Sequence, residues 1–150
     1  MTTAADVTRQ LIIDEARRWL GTPYRHQGSS LGIGCDCLGL VRGVWRAVYG
    51  CEPEAPGPYA ADWADGNQGE RLLEAAERHC GAGFGLAAAQ PGDLIALRWR
   101  PGQPARHIGI LSGPDHFIHA YEQASVVQSA LVPSWRRRVA AAYRFPGITD

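Results

Sequence analysis

A change of hydrophobic period at Gly81 constrains this chain most. Before it, apolar residues recur at helical spacing. After it they fall into short runs, DLIALRW, HIGILSG, DHFIHAYE, SVVQSAL and RRVAAAYRF, separated by Pro and Gly turns. The first pattern predicts helices. The second predicts four or five strands, most simply joined as one antiparallel sheet. Helices followed by strands is an α+β order rather than a wound parallel sheet. No stretch has the composition of a linker, so residues 1–150 read as a single domain.

Three helices are expected in the first half. Leu11, Ile12, Glu15, Ala16 and Trp19 form one stripe, closed by Gly21 with Pro23 beyond. The stretch TPYRHQGSSLGIG reads as a turn-rich loop. A second helix fits Leu38 to Tyr49, with Leu40, Val41, Val44, Trp45 and Val48 inward and Gly50 as its C-terminal cap. Gly39 and Gly43 lie four apart on another face. Glycine weakens a helix, so the pair predicts close approach of another backbone or of a ligand. Residues 51–69 read as a long Pro-, Asp- and Gly-rich loop. ERLLEAAERHC gives the third helix, closed by Gly81.

Charge narrows the function. The 15 basic and 15 acidic residues cancel, and the absence of a basic footprint argues against a nucleic-acid partner. Every basic residue is arginine, which excludes Schiff-base and lysine-base chemistry. The opening MTTAADVTRQLIIDEARRWL is interrupted by charge and lacks a signal-peptide core. No window is long and apolar enough for a membrane span. The expectation is synthesis in the cytoplasm without a cleaved export signal, with thiols free.

Cys35-Asp36-Cys37 sits between the glycine-rich loop and the second helix. A zinc site with Cys51, Cys80 and His79 would need wider cysteine spacing. A Cys35–Cys37 disulfide would be strained. Small buried hydrophobe is the default for Cys35, Cys51 and Cys80. Cys37 differs by position. With Asp36 as N-cap it opens a helix, whose free N–H groups and partial positive charge favour a thiolate and could hold an oxyanion. A base would come from the strands. If the hairpin pairs Ser112 with His116, Gly109 faces His119, and His107 and His119 project as diagonal neighbours from one face. A slip of one residue would separate them. In that register His107 takes the thiol proton and His119 orients His107. His26 and His116 read as half-exposed surface residues.

Five segments, in order, resemble those of the NlpC-type cell-wall cysteine peptidases, a papain-like superfamily. Gly21-Thr22-Pro23-Tyr24 resembles an upstream tyrosine motif and Asp36-Cys37-Leu38-Gly39-Leu40-Val41 the nucleophile motif. Pro91-Gly92-Asp93-Leu94 is similar to the turn into the first core strand. His107-Ile108-Gly109-Ile110 resembles the catalytic-histidine strand, and Phe117-Ile118-His119-Ala120 the strand of the third polar residue. Leu38 stands where many members have serine. The run CDCLGLVRGVW, followed by PYAADWAD, looks more like the phage-tail and gene-transfer-agent branch.

The resemblance implies a papain-like α+β fold without cofactor or metal. It implies a thiol hydrolase of peptidoglycan stem peptides, typically cutting between γ-D-glutamate and diaminopimelate. Cys37 would be nucleophile, His107 base and then acid, and His119 its orienting partner. Tyr24 would bind the carbonyl oxygen or substrate, and Asp36 would cap the helix and could touch a substrate ammonium. Relatives that work alone on the wall usually carry an export signal or wall-binding modules. Delivery on a phage-like tail tip, with tail or baseplate proteins as partners and action in the target periplasm, is therefore the expectation. A structural tail-tip component with dispensable activity, or an amidase or acyltransferase on the same fold, are the alternatives. Tyr59 and Trp63 in the 51–69 loop, and the Trp135-Arg136-Arg137-Arg138 cluster, offer docking surfaces. The favoured reading of both is a solvated surface with its aromatic tucked back.

Overall fold

A computed structural model describes residues 7–54 and 70–150; Tyr59 and Trp63 lie outside the described residues. Helix α1 spans Arg9–Arg17, with the Thr8 hydroxyl accepting from the Leu11 N–H at 3.1 Å as its cap. It stops short of the predicted end. Trp19 is nonetheless buried, in the turn that follows. Helix α2 spans Cys37–Tyr49, capped by Asp36 and ended by Gly50 at φ +82°. Helix α3 spans Arg71–Cys80, and Gly81 leaves it at φ +83°. Both glycines adopt the left-handed conformation that a side chain would strain.

The two glycines within α2 meet close neighbours. A Cβ on Gly39 would lie 1.7 Å from the Gly28 carbonyl oxygen, and one on Gly43 would lie 2.0 Å from the Trp19 indole. One is therefore a backbone approach and the other seats Trp19, from the turn after α1, on α2.

The loop before α2 contains a feature the turn-rich reading missed. Ser29–Ser30 (β1) and Gly34–Cys35 (β2) pair antiparallel as a two-residue ribbon. Such short polar strands carry no alternating signal. The main sheet follows the prediction closely. Its strands are β3 (Leu94–Leu97), β4 (His107–Gly113), β5 (His116–Ala120), β6 (Val126–Ala130) and β7 (Val139–Tyr143). Their order is β6-β5-β4-β3-β7, with every neighbouring pair antiparallel. A 3₁₀ turn at Leu86–Ala88 and a short helix α4 at Pro133–Arg136 were not foreseen, being too short for periodicity.

Both faces of the sheet are covered. Leu94, Ala96, Ile108, Ile110, Ile118 and Ala120 pack with Ile12, Leu40, Val44 and Trp45 on the helix side. Ile95, Leu97, Leu111 and Phe117 form a smaller cluster on the other face, with Trp135 of α4 against it. The lack of alternation in β3, buried at every position, follows from this double cover. No helix among the described residues is long and apolar enough to cross a membrane.

One buried ion pair joins the helical and strand halves. Asp93, fully buried, accepts from Arg9 Nη1 at 2.8 Å and from the Gln90 N–H at 2.9 Å, with Arg144 Nε at 3.7 Å. Arg9 also donates to the Pro91 carbonyl at 3.2 Å. Truncating one partner strands the other charge away from water. Asp93→Ala should therefore cost about 3–5 kcal/mol, measured as the shift of the urea unfolding midpoint at constant m-value.

Candidate active site

Cys37 is the first residue of α2 and is buried. Its place is set by Asp36. One carboxylate oxygen of Asp36 accepts from the Gly39 N–H at 2.7 Å, capping α2, and the other accepts from the Gln27 N–H at 2.7 Å. The Asp36 N–H in turn donates to the Gly28 carbonyl at 3.2 Å. The loop and the helix end are thus locked together on the two sides of Cys37. Its sulfur faces the start of β4, with Sγ 3.9 Å from the Arg106 carbonyl oxygen and bonded by the Ile108 N–H. The thiol therefore lies against the backbone on either side of His107.

The hairpin register brings the histidines together. Ile110 pairs with Ile118 and Leu111 with Phe117, which continues to Gly109 opposite His119. At the turn the expectation is corrected. His116 pairs with Gly113 rather than Ser112, because a bulge shifts the ladder between Leu111 and Gly113. The bulge lies beyond the histidines and leaves their register intact. His107 Nε2 lies 2.7 Å from His119 Nδ1. His119 Nε2 lies 2.8 Å from Ser129 Oγ on β6. The ring nitrogen of His107 left for the thiol is Nδ1.

Aromatic rings enclose this pair. Phe117 stacks on His119 at 4.2 Å, and Trp99 lies 4.9 Å from His107 between ring centroids. Trp135 stands edge-on to His119 at 5.2 Å and over His107 at 6.3 Å. In the Trp135–Arg138 cluster the position of the aromatic matches the expectation. It is tucked back, here onto the histidines, while Arg136 bonds Asp115 at 2.9 Å and Arg138 lies over the Trp135 ring.

Burial dominates the electrostatics. It pushes the Cys37 thiol up to about 12, helped by the Asp36 carboxylate and opposed by the Ile108 and Leu38 N–H groups. Burial likewise pushes His107 down to about 3, with neighbouring His119 adding to the fall, and pushes His119 down to about 4. The expected thiolate is therefore corrected. The helix N-terminus offers its N–H groups, but desolvation and the adjacent carboxylate outweigh them. The resting pair is a thiol beside a neutral imidazole.

A cavity of about 220 Å³ opens on Cys37 and His107, lined also by Tyr24, His26, Asp36, Arg106 and Glu122. Tyr24 enters it because its backbone bridges to Cys35 of β2. Burial, then the nearby Cys37 and Asp36, raises its phenol, which stays a neutral donor. All five sequence-predicted residues thus border one cavity or its histidine wall. His26, read as a plain surface residue, is exposed yet lines the cavity, with Nδ1 4.0 Å from Asp36. Trp99, Arg106, Glu122 and Ser129 were missed. Arg106 adjoins His107 and Ser129 follows from strand pairing, so both had a signal. Trp99 and Glu122 enter through loop shape and had none.

Cys35 is a buried filler as expected, and His116 is exposed as expected. Cys51 is exposed, against expectation, because it follows Gly50 into the loop leaving α2, and Cys80 is half-buried against the helix-side core. His79 bonds Glu54 at 2.8 Å. Among the described residues no cluster of three or more His, Cys, Asp or Glu could hold a metal ion.

The depressed histidines link stability to pH. Unfolded histidine binds its proton near 6.5, whereas these take one only near 3 to 4. Between those values the unfolded state binds more protons, so stability is full above 6.5 and falls as pH drops. By pH 5 each histidine should remove about 2 kcal/mol relative to pH 7.5. Urea titrations at the two pH values should show this loss, and His119→Gln should roughly halve it.

Comparison with known proteins agrees with this geometry. Residues 21–144 match the model of the NlpC/P60 family. The chain is 29% identical over 135 residues to Murein DD-endopeptidase MepS/Murein LD-carboxypeptidase of Escherichia coli K12, covering 89% of this chain and 61% of that one. It is 27% identical over 141 residues to Gamma-DL-glutamyl hydrolase of Bacillus subtilis, covering 92% and 30% respectively. The chain thus spans between about a third and two-thirds of these relatives' lengths. Its fold is similar to the NlpC/p60 domain of the peptidoglycan hydrolase SagA, at a TM-score of 0.64 and 24% identity over 93% of this chain and all of that one. A Bacillus cereus NlpC/P60 protein gives a TM-score of 0.65 at 22% identity, over 95% of this chain and 41% of the other. With helix α2, the histidine hairpin and all five strands of the main sheet inside the matched region, the chain belongs to the NlpC/P60 family.

Proposed function

We propose that the chain is a cysteine peptidase of peptidoglycan stem peptides, with the γ-D-glutamyl–diaminopimelate amide as its bond. The observation that carries this reading is the meeting of Cys37 and the His107–His119 pair at one polar-walled cavity. His107 takes the thiol proton as sulfur attacks the amide carbonyl. The Tyr24 phenol, held neutral, donates to the developing oxyanion. His107 then passes its proton to the leaving amine, giving a thioester. Water, deprotonated by His107, releases the carboxylate and restores the thiol. Asp36 already accepts two backbone N–H bonds, so its first duty is to cap α2.

The polar lining favours a peptide over an acyl chain and so favours the hydrolase over an acyltransferase. The relatives' names support cell-wall peptides as the substrate class but point to different bonds, one a murein DD-endopeptidase and one a γ-DL-glutamyl hydrolase. The γ-D-glutamyl choice is the one tested by product mass.

We propose further that the chain works at the tip of a phage-like tail, assembled there with tail or baseplate proteins and acting in the target cell's periplasm. The run CDCLGLVRGVW, similar to the phage-tail branch, supports this. Absence of the protein from purified particles would remove the tail-tip reading while leaving the enzyme intact.

Purified peptidoglycan digested with the wild type should release fragments whose masses end at γ-D-glutamate. Cys37→Ala should release them at least about 10³-fold more slowly. Equal release by both proteins would exclude the cysteine mechanism.

A further inference from the structure

The chain of bonds from His107 to Ser129 has a definite hydrogen count. A neutral imidazole carries one N–H and accepts at its other nitrogen. His107 Nε2 and His119 Nδ1, 2.7 Å apart, therefore share one hydrogen, and His119 Nε2 and Ser129 Oγ, 2.8 Å apart, share another. Two arrangements satisfy this. In the first, His107 donates from Nε2 to His119, and His119 donates from Nε2 to Ser129. His107 Nδ1 is then bare and can receive the proton of Cys37. In the second, Ser129 donates to His119 Nε2, and His119 donates from Nδ1 to His107 Nε2. His107 then carries its hydrogen on Nδ1 and cannot act as the base. A hydroxyl can donate or accept, so Ser129 is compatible with both directions, and only the one in which it accepts leaves His107 able to take the thiol proton.

We propose that Ser129 is a positioning residue. By accepting the His119 Nε2–H it holds both imidazoles in the tautomer that leaves His107 Nδ1 open to the thiol. The assignment rests on the reading of Cys37 as nucleophile and His107 as base. Strand pairing supports it. Phe117 pairs with Ser129 and His119 with Val127, so Ser129 is the diagonal neighbour of His119 on one face, placed by the ladder rather than by a loop. Phe117 and Trp135 fix the plane of the His119 ring between them. The same direction serves the charged state. After proton transfer the His107 imidazolium still donates to His119 and His119 still donates to Ser129, so no bond is broken and no ring turns.

The test compares the full chain with Ser129→Ala and Ser129→Thr. Ring ¹⁵N NMR of His107 and His119 reports which nitrogen carries the hydrogen. Peptidoglycan digestion gives kcat and KM, and alkylation of Cys37 by iodoacetamide reports the base without reference to any substrate. The wild type and Ser129→Thr should show Nε2–H on both histidines. Ser129→Ala should move a fraction to Nδ1–H, slow alkylation, and lower kcat at least about tenfold with KM unchanged. Unchanged tautomers in Ser129→Ala would overturn the assignment. So would a folded Ser129→Thr as impaired as Ser129→Ala. A wild type inert on peptidoglycan, with the tautomer and alkylation shifts still present, would overturn the substrate reading and support Ser129.

Discussion

The carboxylate of Asp36 is the interaction on which the site depends. Its two oxygens hold N–H groups from different segments, Gly39 at the start of α2 and Gln27 in the preceding loop. That double bond fixes where α2 begins, and so fixes Cys37 at its first position. The cost is close quarters. The Gly28 carbonyl lies where a Cβ on residue 39 would stand, so only glycine fits there. The motif Asp36-Cys37-Leu38-Gly39 is thus one mechanical unit: cap, thiol, wall and clearance.

The same carboxylate opposes the chemistry it positions. A negative charge one residue from the sulfur disfavours a thiolate, and burial disfavours it further. The histidine side is built the same way, with aromatic rings that keep both imidazoles neutral. Burial thus works against charge on both the thiol and the imidazoles. What the site holds ready is geometry: a thiol against the backbone flanking His107, and an imidazole oriented by a hydrogen-bonded partner. Where side chains are this buried, hydrogen-bonded orientation is set before any charge is made.

Much of this was legible in the sequence because it rests on periodicity. The change at Gly81 marked the α+β order, and the spacing of His107 and His119 across a short turn made their meeting conditional on the register, which the structure supplies. The bulge at the turn was not legible, since the extra residue changes no side-chain alternation near the histidines. The β1–β2 ribbon was hidden by its length. Trp135 was seen as a surface cluster with its aromatic tucked back, but its target could not be known. That contact is made between α4 and β5, and it depends on how a four-residue helix turns the chain back toward the sheet.

Leu38 shows how one side chain can set the character of a site. It lines the polar cavity at Cys37, and it also lines a second cavity of about 210 Å³ with Val41, Trp45, Leu72, Leu94 and Ile108. A hydroxyl at this position would extend the polar wall beside the nucleophile. Leucine instead closes that wall with hydrocarbon and separates the cavity at Cys37 from one that has an apolar floor and a rim of Arg42, Glu54, Arg71, Glu74 and Arg78. Tyr24, Arg106 and Glu122 supply polar lining at Cys37, so under the proposed function the polar groups of a peptide would be recognised there.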